Sequence, residues 1–334
     1  MRQIAVIGNG AWGCTVAALL AKGDCQVTLW GHDAEYLMEC AATRENRRYL
    51  PGIKLPGALK HEPDIRAAVM EADLVTCAVP TRHLRSVFSQ LHGQIGAQVR
   101  IVSLTKGIER ESLRFPSVIL SETLGVASVG ALSGPSMAEE VALGLPASVT
   151  VAHRELAIAR ELQQIFSRDF FRVYASQDVV GVELGGAVKN VIAIAAGVCD
   201  GLKLGDNAKA ALLSRGLAEL RRLGQALSAT DDSIFGLAGV GDLYTTCASP
   251  LGRNRGFGQR IGSGASVHDA IGTMGGHVVE GYDTALSMHR LAAARRIEMP
   301  ICEVVYRMLY EGLEPREALV RLLARELRTE SGMR

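Results

Sequence analysis

Lysine is scarce in this 334-residue chain: of 36 basic residues only seven are lysine, at 22, 54, 60, 106, 189, 203 and 209. A lysine inside a stretch of small residues is therefore poorly explained by composition. Paired cysteines are absent as well. The seven cysteines, at 14, 25, 40, 77, 199, 247 and 302, form no CxxC pair, which excludes a zinc site or a disulfide framework and suits a reducing, cytoplasmic setting. No metal is expected. Charge of one sign is not in excess, the net charge being +1; a nucleic-acid or membrane-surface partner is excluded, while a small anionic ligand is not. No apolar run is read as reaching the roughly 18 residues of a membrane helix. The apolar run after Arg2 is interrupted by Gly8, Asn9 and Gly10, unlike a secretory signal. No internal repeat or low-complexity linker is visible.

What is present is a globular composition, 48% apolar and 21% charged, in a chain long enough for two domains. Residues 3 to 13, QIAVIGNGAWG, give a short β-rich run followed by Gly8, Gly10 and Gly13 in G-x-G-x-x-G spacing and a helical run from Trp12 to Lys22. In a strand-turn-helix unit the first glycine makes the tight turn. The second lets a pyrophosphate approach the backbone, and the third lets helix and strand pack closely. The helix N-terminus adds N–H donors for the phosphates. A second strand, QVTLW (26 to 30), completes the context of a dinucleotide site. After it the chain reads Trp30-Gly31-His32-Asp33, with no acid immediately placed for the ribose hydroxyls. Asp33 is read as the cap of the next helix, and His32 tolerates a 2'-phosphate. NAD and NADP both stay open.

Further strands are expected at 73 to 80, 99 to 104, 126 to 136, 147 to 152 and 170 to 174, with a helix from about Thr81 to Leu91. Ligands gather outside the carboxyl ends of such strands, which brings Pro80 and Lys106 forward, although Lys106 also reads as a solvated loop residue. Beyond Asp178 helical periodicity takes over, at 180 to 200, 208 to 228, 281 to 295, 301 to 311 and 315 to 327. The expected architecture is α/β, a dinucleotide-binding domain over 1–177 followed by an all-α domain over 178–334.

Lys189 stands near the start of that second domain, in GGAVKNVIAIAAG (185 to 197). On a helix it shares a face with Gly185, Gly186, Ile192, Ala193 and Ala196. Close helix packing explains the glycines but strands the ammonium. A desolvated lysine beside Asn190 is a proton donor or acceptor of tunable pKa. Asp242, among glycines and apolar residues in GVGDLYTTC (239 to 247), calls for a cationic partner. Arg253, Asn254 and Arg255, in SPLGRNRGFG (249 to 258), form either a phosphate clamp or ordinary surface charge.

The segments GNGAWG, LTKG, SGPSMAEEVALGLPASV, LGGAVKNVIAIAAG, GLAGVGDLYTTC, GRNRGFG and VVEGY, in this order, resemble the NAD(P)-dependent glycerol-3-phosphate dehydrogenases of the bacterial type. The resemblance runs from residue 3 to about 326. It implies a Rossmann-type domain joined to a helical substrate domain, and NAD or NADP as cofactor. The implied reaction is reversible reduction of dihydroxyacetone phosphate to sn-glycerol 3-phosphate, which supplies the backbone of glycerophospholipids. A homodimer is its expected assembly. Lys189 corresponds to the proton donor and acceptor, with Lys106 and Asp242 as its catalytic companions. Asn190, Gly134, Ser136, Thr246, Gly252, Arg253 and Asn254 join these three on the substrate side. On the cofactor side fall Gly8, Gly10, Ala11, Trp12, Gly13, His32, Lys106, Ala138, Arg253, Val278 and Glu280. Asn9, where alanine is frequent, departs mildly; Ala11, where serine or alanine is common, forgoes a hydroxyl contact to phosphate but keeps the backbone donors. A β-hydroxyacid or 6-phosphogluconate-type dehydrogenase of similar architecture is the alternative; a catalytically idle dinucleotide-binding regulator is the non-enzymatic one.

Overall fold

The computed structural model describes residues 1–274 and 279–324. The chain divides into two compact units. The first comprises Met1–Thr105 and Pro116–Val179; the second takes Lys106–Phe115 together with the described residues from Val180 onward. Val278, expected on the cofactor side, lies outside the described residues.

The first unit is a mixed sheet with helices between its strands. Strands β1 (Arg2–Ile7), β2 (Cys25–Trp30), β5 (Lys60–His61), β6 (Leu74–Cys77), β7 (Arg100–Ser103), β8 (Gly130–Ser133), β9 (Ala147–Ala152) and β10 (Phe171–Ser176) pair in the order β10-β9-β8-β7-β6-β1-β2-β5. A short antiparallel pair, β3 (Glu45–Asn46) with β4 (Leu50–Lys54), stands apart. All pairings in the large sheet are parallel except β8 with β9. The chain leaves β1 to one side and returns to β6 on the other, so the sheet has its switch point at the carboxyl ends of β1 and β6. Buried aliphatic runs such as LVTC in β6 build the strands, and apolar clusters cover both faces. The helices are α1 (Ala11–Ala21), α2 (Ala34–Thr43), α3 (Ile65–Val69), α4 (Leu84–Phe88), α5 (Pro116–Leu124), α6 (Ala138–Ala142) and α7 (Leu156–Phe166).

Two expectations change here. The long strand over 126–136 contracts to Gly130–Ser133, because the chain turns at Gly134, whose φ is +147°. The helix expected from Thr81 to Leu91 is three short pieces, with 3₁₀ turns at Thr81–His83 and Ser89–Leu91 flanking α4. Pro80 fixes the entry, and the apolar residues that suggested continuity, Leu84, Phe88 and Leu91, are all buried.

The second unit is helical: α8 (Val179–Gly201), α9 (Gly205–Ala226), α10 (Asp231–Phe235), α11 (Asp242–Ala248), α12 (Arg253–Gly262), α13 (Val267–Gly272), α14 (Glu280–Arg295), α15 (Pro300–Tyr310) and α16 (Pro315–Leu323), with a π-helical turn at Leu237–Gly241. The α8 helix corrects the reading that no segment is apolar and long enough to cross a membrane: its 23 residues are. Its most apolar window is 94% buried, because Leu184, Val188, Val191, Ile192 and Ile194 form the centre of this unit's core. A Cβ on Gly197 or Gly201 of α8 would fall within 2.3 Å of the α12 backbone oxygens of Arg255 or Gln259. The small residues therefore do serve close helix packing.

Candidate active site

In the first unit the glycine fingerprint occupies the switch point. Gly8 turns the chain at φ +118°, and a Cβ there would strike the Ala78 carbonyl at 2.8 Å. Gly13 faces the Gly8 oxygen so closely that any side chain would push α1 off β1. Gly10 caps α1, and a Cβ built on it would meet nothing within 4 Å. A group approaching the free amides of Ala11 and Trp12 thus finds an open cradle. Beside it lies an unsatisfied donor: Asn9 is 4% exposed and its Nδ2 has no partner among the described residues, although its side chain packs against Gly31 just after β2. A buried amide without an acceptor is costly, so the site suits an oxygen-rich ligand such as a dinucleotide's phosphates and ribose.

His32 is exposed next to this position. Asp33 accepts a hydrogen bond from the Tyr36 amide at 3.0 Å, as the cap reading anticipated, and pairs with Arg48 at 3.0 Å. Gly134, Ser136 and Ala138 also belong to this unit. The Ser136 hydroxyl donates to the Gly134 carbonyl at 2.9 Å, and Thr15 donates to the Ala138 carbonyl at 3.1 Å.

In the second unit the expected catalytic residues converge. The π-helical turn ends at Asp242, the first residue of α11; such turns frequently mark functional sites. Asp242 is 2% exposed and faces two ammonium groups: Lys189 Nζ donates to Oδ1 at 2.5 Å and Lys106 Nζ to Oδ2 at 2.6 Å. Lys189 also donates to the Thr246 hydroxyl at 2.8 Å. The lysine stranded in a small-residue helix is therefore 7% exposed and fully engaged, and Lys106, with 15% side-chain exposure, is no solvated loop residue. Burial pushes the Lys189 ammonium down to about 8 from 10.5, with Lys106 adding to the fall and Asp242 opposing it.

A second set of polar side chains adjoins this one along the chain. Asn190 Nδ2 donates to Glu280 Oε2 at 3.2 Å, Asn254 Nδ2 donates to Asn190 Oδ1 at 2.9 Å, and the Gly281 amide donates to Asn254 Oδ1 at 3.0 Å. Gly252 caps α12 against the Thr246 carbonyl, leaving no room for a Cβ. Arg253 then opens the helix, exposed. Arg255, a candidate for the same clamp, is used otherwise: it pairs with Asp200 at 2.6 Å and donates to the Ser249 carbonyl at 3.1 Å, which ties α12 to α8. Lys209 joins Asp200 in the same pair. Sequence reading missed Asp200, three turns along α8 from Lys189, and it missed the buried Glu219.

A glycine turn at the sheet's switch point in one unit and a buried lysine–carboxylate cluster in the other are features suited to an oxidoreductase that works with a nicotinamide dinucleotide. Residues 3–159 and 178–320 match the family models for the N-terminus and C-terminus of NAD-dependent glycerol-3-phosphate dehydrogenase. A glycerol-3-phosphate dehydrogenase [NAD(P)+] of Citrifermentans bemidjiense is 46% identical over 331 residues, 98% of each chain. One of Geobacillus kaustophilus is 44% identical, covering 99% of this chain and 96% of its own. Among solved structures, the glycerol-3-phosphate dehydrogenase of Coxiella burnetii superposes with a TM-score of 0.93 at 38% identity, over 97% of this chain and 99% of that one. The chain belongs to the NAD-dependent glycerol-3-phosphate dehydrogenase family.

Proposed function

We propose that the protein catalyses the reversible reduction of dihydroxyacetone phosphate to sn-glycerol 3-phosphate with NADH or NADPH, the product serving glycerophospholipid synthesis. The observation that carries this reading is the buried Lys189–Asp242–Lys106 cluster. When bound, the dinucleotide supplies a hydride to C2 of the ketone. The carbonyl oxygen then gains negative charge and needs a positive group and a proton at one atom. Lys189 supplies both. Its pKa near 8 leaves it protonated at neutral pH yet able to release the proton. In the reverse direction the neutral amine takes the hydroxyl proton. Asp242 holds the amine in place and keeps it charged, while Lys106 supplies a second positive charge to the same group. Thr246 fixes the orientation of Lys189, and Asn190 extends the polar surface.

The phosphate of the substrate is assigned to Gly252, Arg253 and Asn254 at the start of α12, where the positive end of the helix and the exposed Arg253 guanidinium coincide. Gly134 and Ser136 complete the substrate assignment. The dinucleotide is assigned to Gly8, Gly10, Ala11, Trp12 and Gly13, with His32, Ala138, Lys106, Arg253 and Glu280. By this assignment the first unit carries the glycine turn for the cofactor and the second the lysine cluster for the substrate, with each unit lending some residues to the other ligand. All seven cysteines stand unpaired, and the cytoplasm belongs to this reading. The hydroxyacid alternative is weaker, since relatives at 46% and 44% identity are named as glycerol-3-phosphate dehydrogenases. The test is the initial rate of dihydroxyacetone phosphate reduction by the purified protein with NADH and NADPH side by side. Saturable turnover supports the proposal. No turnover, from protein that still binds either dinucleotide, overturns it in favour of another substrate.

A further inference from the structure

Lys106 reaches Asp242 from a hook of ten residues, Lys106–Phe115, that leaves β7 and joins the helical unit. Gly107 turns the chain at φ +132°, and the hook closes on itself through the Glu109 amide donating to the Arg114 carbonyl at 3.0 Å. Ser112 adds its hydroxyl to the Glu109 carboxylate. Ile108 and Phe115 are buried in the core of the unit. The polar attachments converge on one face of α14, at Asp283, Ser287 and Arg290, spaced four and three residues apart. The Ser287 hydroxyl donates to the Ile108 carbonyl at 3.0 Å, and Arg290 donates to the Arg110 carbonyl at 3.2 Å. The Arg110 guanidinium pairs with Asp283 and donates to the Tyr310 hydroxyl at 3.1 Å, which in turn donates to the Tyr282 carbonyl at 2.9 Å.

We propose that Arg110 is a positioning residue of the active site: by locking the hook to α14 it holds the Lys106 ammonium against Asp242. The proposal rests on the reading of Lys189, Lys106 and Asp242 as the catalytic cluster. Two features favour it over a tether that serves stability alone. The start of α14 is itself bonded beside Lys189, through Glu280 to Asn190 and through the Gly281 amide to Asn254. Arg110 therefore references Lys106 to the frame that carries the proton donor. In addition, Arg110 Nε is buried without a partner among the described residues, a cost that an apolar side chain of similar length would avoid. The directional pair to Asp283, rather than burial, is what the position uses.

The groups facing Lys189 are Asp242, Lys106 and Thr246, with the Cys247 thiol within its field. Lys106 lowers the Lys189 pKa, so a Lys106 that is no longer held allows that pKa to rise. The experiment compares Arg110→Met, Arg110→Lys, Asp283→Asn and Lys106→Met with the wild type. It follows dihydroxyacetone phosphate reduction across pH, with NADPH binding by fluorescence and a thermal melt as controls. For Arg110→Met we expect kcat/KM to fall at least about tenfold and the alkaline limb to move up by about one unit. The shift follows that of Lys106→Met, with cofactor affinity unchanged and partial recovery in Arg110→Lys. Asp283→Asn reproduces it from the other side of the pair and serves should Arg110→Met fail to fold. A loss of activity with the limb in place, or no loss, overturns the clamp while Lys106→Met still shifts. If Lys106→Met itself leaves the limb in place, the catalytic reading falls and this proposal with it.

Discussion

Replacing Asp242 with asparagine keeps the shape of the side chain and removes a buried carboxylate that faces ammonium groups at 2.5 and 2.6 Å. Two unit charges about 4 Å apart interact by about 4 kcal/mol at an effective dielectric of about 20, equivalent to about three pKa units. Asparagine retains a carbonyl acceptor, so the expected fall in the Lys189 pKa is about one to three units. It starts from about 8, and burial and Lys106 both push in the same direction. Lys189 then becomes largely neutral near neutral pH, where it has no proton to give. Reduction of dihydroxyacetone phosphate is expected to slow by about 10²-fold, the lower end of general acid catalysis, with the alkaline limb displaced to lower pH. The assay is the loss of reduced nicotinamide absorbance over a pH series, with dinucleotide affinity measured separately to show that the site is intact. An Asp242→Asn variant that kept most of its activity with an unmoved limb would refute the reasoning.

Three further outcomes follow from other parts of the molecule. Glu219 on α9 is buried and accepts from the Ile301 and Cys302 amides at 2.6 and 3.1 Å, where α15 begins, and burial raises its pKa from 4.5 to about 7. The folded state thus holds the proton more tightly than the unfolded one. Its contribution is full below pH 4.5 and is lost as pH rises through about 7, by about 3 kcal/mol. Thermal melts across that window should show a loss in the wild type that is reduced in Glu219→Gln; equal slopes would contradict it. His32→Asp places a carboxylate after β2 and should lower the use of NADPH relative to NADH, measured as a ratio of kcat/KM values; an unchanged ratio excludes His32 as the selector. A Cβ on Gly258 would fall 2.0 Å from the Ile194 carbonyl. Gly258→Ala should therefore destabilise by about 1–3 kcal/mol in a urea melt, and a neutral result would mean that α8 and α12 part at little cost.

The elements that could be read from sequence were those whose signals are local. Gly8, Gly10 and Gly13 are tied to a strand before and a helix after, so one window of residues specifies the turn. Lys189 stood out because its neighbours are small, and both explanations for that stretch hold: Gly185, four residues before it, lies so close to the Ala238 carbonyl that a Cβ would fall 2.2 Å from it, while the ammonium meets Asp242 and Thr246. What escaped depends on distant partners or on breakers that suppress a pattern. Strand β4 contains Pro51 and Gly52, poor strand formers that a two-stranded edge pair tolerates. The π-helical turn at Leu237–Gly241 adds a residue to a helix without altering its composition. Arg255 looks like Arg253 in sequence, and its pair with Asp200, more than fifty residues earlier, together with its bond to the Ser249 carbonyl, separates their uses. The attachment of the 106–115 hook to α14 joins residues over 170 positions apart, and no periodicity reports it.

The central claim, that Lys189 moves the proton at the substrate oxygen, is tested most directly by Lys189→Ala. The variant is to be assayed for dihydroxyacetone phosphate reduction under saturating substrate and for NADPH binding by fluorescence. The account predicts turnover reduced by about 10²-fold or more with dinucleotide affinity preserved. Near wild-type turnover from that variant would contradict it.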